Sequence, residues 1–193
     1  MRNFFRKLQE VHNPPDIAES SNTEEFPQNY AQLREQYVNF CHSRSRSEGE
    51  IVHDLHELMR MPEISHIGFV QSDSGLTCLL GTTEVSIINP TTGQEHDIGE
   101  FVVQINRREH TILFENITRG VPYFENMEKK GQYHHPHIPA SGQICMPAGK
   151  EVLQEHIGKG ELYAAARIVV RALWTLDQAP YGAAGIDKWP TRE

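Results

Sequence analysis

Apolar residues recur at helical spacing in three stretches of this 193-residue chain and alternate with polar ones in the region between. Tyr30, Leu33, Tyr37, Phe40 and Cys41 form one stripe, which predicts a first helix over about 29–43. The stripe makes Cys41 a core residue, since an unpaired buried cysteine behaves as a small hydrophobe. Ser47 and Glu50, three positions apart, form a capping box. Ile51, Leu55, Leu58 and Met59 then mark a second helix, which Pro62 stops.

From Ile64 the period falls to two. Strands are expected at about 65–71, 76–80, 84–89, 100–106 and 110–116, with Ser72–Gly75 and Pro90–Gly93 as turns. Phe101, Val103 and Ile105 alternate with Glu100, Val102 and Gln104, and Ile112 and Phe114 repeat the pattern, so an antiparallel meander with one buried face is expected. Past residue 118 the chain is punctuated by Gly120, Pro122, Gly131, Pro136, Pro139 and Pro147, a long irregular stretch of the kind that often carries function. A short helix is expected over 149–157. A stronger one follows Gly160, with Leu162, Ala165, Ala166, Val169, Val170, Leu173 and Leu176 on one face. Helices covering an antiparallel sheet make this an α+β fold.

The length suits one compact domain with a decorated end. The expected division is a polar lead-in over 1–28 and a single domain over 29–193, whose extra N-terminal helix spans 29–46 and whose core spans 47–180. Lys plus Arg total 18 against 26 Asp plus Glu, a formal charge of -8. That balance argues against nucleic-acid and membrane-surface partners, which favour clustered basic residues. No apolar run approaches the ~20 residues that span a bilayer, and none follows the basic start as in a secretory signal. Cys41, Cys78 and Cys145 are odd in number and widely spaced, which argues against a disulfide framework and for reduced thiols in a cytoplasmic setting.

The densest chemistry lies in Tyr133-His134-His135-Pro136-His137-Ile138, with Cys145 eight residues after His137. A thiolate both attacks and leaves carbonyl carbon well, so Cys145 suits acyl transfer between thiols. A nearby imidazolium or backbone N–H groups would raise its thiolate share, and His137 is a candidate donor to a developing oxyanion. A zinc site built from His134, His135, His137 and Cys145 has the right ligand count but matches no usual spacing. The plainer alternative is loop hydrogen bonding by the histidines around a merely buried thiol. The polar, Gly/Pro-rich surroundings of Cys145 weigh against it.

His135-Pro136-His137-Ile138 followed by Gly142-Gln143-Ile144-Cys145 resembles the His-Pro-Asn to Gly-x-Ile-Cys signature of ubiquitin-conjugating enzymes, with the same eight-residue step. Gly99-Glu100-Phe101 is similar to the family's strand start, and the resemblance runs over roughly 48–180. It implies a conjugating-enzyme-like fold in which Cys145 accepts a ubiquitin-like protein as a thioester from an activating enzyme and passes it to a target protein, with no cofactor. By position, His135 and Pro136 would hold the active-site loop in shape, and His137 stands where the family has its oxyanion-supporting Asn. Asp177 and Asp187 are candidates for the family's later acid, with solvated loop carboxylates as the competing reading. The chain is most similar to bacterial homologues found beside a ubiquitin-like protein, which implies a setting in antiphage defence. A noncatalytic module of the same fold, presenting the ubiquitin-like protein or scaffolding its activating enzyme, is the alternative.

Overall fold

Ser47 begins the first fully capped helix: its hydroxyl accepts the Glu50 N–H at 3.3 Å while the Glu50 carboxylate accepts the Ser47 N–H at 2.8 Å. The computed structural model describes residues 26–43, 45–73, 75–118, 133–139, 141–144, 149–175 and 185–192. Backbone contacts divide the chain into two units, Met1–Ala31 and Gln32–Glu193. The expected lead-in over 1–28 lies almost wholly outside the described residues.

Helix α1 (Phe26–Cys41) is followed by α2 (Glu48–Met59), then strands β1 (Ile64–Ser72), β2 (Gly75–Thr82), β3 (Val85–Ile88), β4 (Glu95–Gly99), β5 (Phe101–Asn106) and β6 (Thr111–Asn116). Helices α3 (Lys150–Lys159) and α4 (Leu162–Trp174) and a short 3₁₀ turn (Ile186–Lys188) complete the order, an α+β architecture. α2 buries Ile51, Leu55 and Leu58, one face at i, i+4 and i+7, whereas Met59 is exposed. α4 buries Leu162, Ala165, Ala166, Val169 and Leu173 and packs against α2, α3 and β3. Its alanines keep that face thin, which allows close approach.

The main sheet is antiparallel in the order β1-β2-β5-β6. Here the expected simple meander is corrected: β3 leaves the sheet and pairs instead with β4, so β2 lies directly against β5. Glu95-His96-Asp97 is too polar to read as a strand, yet β4 buries His96 and Ile98. The chain's end completes this excursion. Asp97 donates its N–H to the Pro190 carbonyl at 2.9 Å, and His96 Nδ1 lies 2.9 Å from the carbonyl oxygen of buried Trp189. In the main sheet, Cys78, Leu80, Phe101, Val103, Ile105 and Phe114 are all buried on one face.

Two arginines fasten the helix ends. Arg107 donates to the carbonyls of Phe40, His42 and Gly158 at 2.8, 2.7 and 2.9 Å. Arg46 donates to the Gly160 carbonyl at 2.6 Å and to Asp54 Oδ2 at 2.7 Å. Gly160 ends α3 in the left-handed region at φ 76°, where any Cβ would fall 2.1 Å from the Cys41 carbonyl oxygen. No helix among the described residues is long and apolar enough to cross a membrane.

Candidate functional site

The histidine segment folds as a tight turn. Ile138 donates its N–H to the His135 carbonyl at 2.9 Å, and His134 donates to the Ile138 carbonyl at 2.9 Å. His135, Pro136 and Ile138 are buried, while His134 and His137 are half-buried. The apolar Ile138 drives the turn into the core, and the proline restricts the residue before it to extended conformations.

His135 is fixed from both sides. The His137 N–H donates to its Nδ1 at 3.1 Å, so that nitrogen carries no proton, and Nε2–H donates to the Leu173 carbonyl near the end of α4 at 3.0 Å. Phe101, at the start of β5, meets the ring edge-on with centroids 6.1 Å apart. The imidazole is therefore neutral and in one tautomer. Burial in this apolar setting pushes its pKa down to about 3, against the favourable Leu173 bond. With both ring nitrogens occupied, His135 has no lone pair for a metal, and the four-ligand zinc reading loses a member.

His134 is held by Asn116, at the end of β6. The Asn116 N–H donates to His134 Nδ1 at 3.1 Å, and its side-chain amide donates to the carbonyls of Ile98 at 2.7 Å and His134 at 3.1 Å. One residue thus joins the ends of β4 and β6 to the histidine turn. It was not singled out in the sequence, where an asparagine at a strand end carries no distinguishing signal. The His137 ring lies 5.8 Å from that of His135, tilted by 33°.

Gly142 brings the segment back to the sheet. Its carbonyl accepts the Phe114 N–H at 2.8 Å across the outer edge of β6, and its φ of 72° suits glycine. A Cβ there would stand 2.9 Å from the Phe114 carbonyl oxygen. Gln143 and Ile144 follow, and then Cys145, which lies outside the described residues, as does Asp177. Asp187 sits exposed in the 3₁₀ turn. The structure therefore brings His134, His135 and His137 together with Asn116 and the end of α4. No protein-family model, curated protein or solved structure matches this chain.

Proposed function

We propose that this chain is a thioester carrier and transferase of the ubiquitin-conjugating kind, with Cys145 as its acyl acceptor. The observation that carries this reading is the histidine turn, tied on one side to the Leu173 carbonyl and on the other to Asn116, in the segment that runs into Cys145. Such a loop costs no reorganisation when charge develops beside it, which is what preorganised electrostatic stabilisation requires. Its position between an antiparallel sheet and the C-terminal helices accords with the conjugating-enzyme-like fold that the motif implies.

In the first step the Cys145 thiolate attacks the thioester carbonyl held by an activating enzyme. The new carbon–sulfur bond forms as the old one breaks and the activating enzyme's thiolate leaves. In the second, an amine or hydroxyl of the target attacks, loses its proton to a base, and releases the Cys145 thiolate. His137 supplies the donor to the tetrahedral oxyanion in both steps. His135, neutral and with both nitrogens bonded, positions the turn and transfers no proton.

Incubation with an adenylating enzyme, ATP and the ubiquitin-like protein it activates is expected to yield an adduct that dithiothreitol releases. Cys145→Ala should yield none, and Cys145→Ser an adduct that resists thiol. Absence of the wild-type adduct, or its persistence in Cys145→Ala, overturns the reading. An unmodified chain that still binds the ubiquitin-like protein would identify a noncatalytic module instead.

A further inference from the structure

The β5–β6 turn, at the far end of the sheet from the histidine turn, holds a second candidate site. Five residue steps along β5 separate the Phe101–His135 contact from this turn, about 17 Å at ~3.3 Å per step. An open cleft of about 460 Å³ lies there, lined by Asn39, Phe40, Leu76, Arg107, Arg108 and His110 together with Gly75 and Gly158. Among the described residues its lining includes three basic side chains and no carboxylate, on a chain of formal charge -8. Glu109, the acid within the turn, does not line it.

The three basic groups differ in how they are engaged. Arg107 spends both Nη1 hydrogens and one on Nη2 on backbone carbonyls, which leaves its Nε–H and one Nη2–H uncommitted among the described residues. Arg108 and His110 are exposed and make no hydrogen bond or ion pair among the described residues. The Arg108 stem lies across Gly75, where an added Cβ would come 3.6 Å from Arg108 Cδ. His110 is held at φ 53°, a left-handed conformation that glycine would occupy with less strain. The turn is fixed beneath it by the Asn106 side-chain oxygen, which accepts the Glu109 N–H at 2.9 Å.

From this we infer that the cleft binds a phosphate-bearing small molecule, with the oxyanion on Arg108, His110 and the spare donors of Arg107, and the remainder of the ligand along Phe40 and Leu76. Guanidinium donors match phosphate oxygens in pairs. The volume falls in the range of small-ligand sites and exceeds the need of a lone phosphate. The site does not involve Cys145 and stands or falls apart from the thioester reading.

Isothermal titration of the full chain with inorganic pyrophosphate and with AMP tests it, at low and at physiological salt. Saturable binding below about 1 mM is expected, weakening with salt because these charges are solvent-facing. Arg108→Ser and His110→Gly should each weaken it by roughly tenfold or more, the worth of one charge-assisted hydrogen bond. Both substitutions touch exposed side chains, and glycine suits the His110 backbone, so the melting temperature should hold and certify the fold. AMP binding more tightly than pyrophosphate supports a ligand body against Phe40 and Leu76, whereas equal or weaker binding of AMP overturns that part of the inference. Absence of saturation by either ligand, or affinities unchanged in both variants, overturns the inference.

Discussion

Replacing His135 with Gln should change how the stability of this protein depends on pH, by about one proton. In the folded chain, burial holds the His135 pKa down at about 3. In the unfolded chain it returns to about 6.5. Above pH 6.5 both states are neutral and the residue adds no pH dependence. Below it the unfolded state binds a proton that the folded state refuses, so stability falls as pH falls, by about 1.4 kcal/mol per pH unit until the folded pKa is reached. Between pH 6.5 and 4.5 the loss is about 2 kcal/mol. Gln does not titrate. Its amide can still donate to the Leu173 carbonyl, but the His137 N–H loses its acceptor, a cost of about 1–3 kcal/mol at pH 7. Wild type should therefore lead at neutral pH, and the order should reverse near pH 5, at ~2 kcal/mol of initial advantage. Urea unfolding followed by fluorescence of Trp174 and Trp189, from pH 4.5 to 7.5 in both proteins, measures the difference directly, and carboxylates common to both cancel. Parallel stability curves across that range would refute the buried, neutral assignment.

Gly160→Ala should destabilise the chain by about 2–5 kcal/mol, combining left-handed strain with the 2.1 Å approach to the Cys41 carbonyl, read as a lower denaturant midpoint at constant m value. Gly142→Ala meets the Phe114 carbonyl oxygen at 2.9 Å and should cost about 2–4 kcal/mol while slowing thioester formation on the adjoining segment; unchanged rates would separate Gly142 from the site. Asn116→Ala removes two side-chain donors and the acceptor for the Thr118 N–H, and should cost about 2–3 kcal/mol by the same unfolding assay. Burial pushes the Cys41 thiol up to about 12 and the fully buried Cys78 thiol well above its usual value. Iodoacetamide on the native protein should thus label Cys145 first, with all three labelled only in denaturant; peptide mass spectrometry showing Cys41 or Cys78 modified as fast would contradict this.

The helices of this protein could be read from short-range chemistry. The Ser47–Glu50 box, the Ile51-Leu55-Leu58 face, Gly160 and the Leu162–Leu173 stripe each act within a few residues, and each was legible without a partner in space. The same holds for the β5 alternation and for the density of histidines before Cys145. Strand pairing is a different matter. The excursion of β3 and β4 from the main sheet depends on a polar strand finding the chain's end, with Asp97 on Pro190 and His96 on Trp189, and no local period announces such a match. The state of His135 was equally illegible. A histidine before a proline can face solvent, metal or substrate, and a carbonyl 38 residues further along decides that this one is sealed and neutral. Local patterns set which elements form because their free energy comes from neighbouring residues. Long-range contacts, whose partners are chosen only once the chain has packed, set which side chains meet and what chemistry they retain.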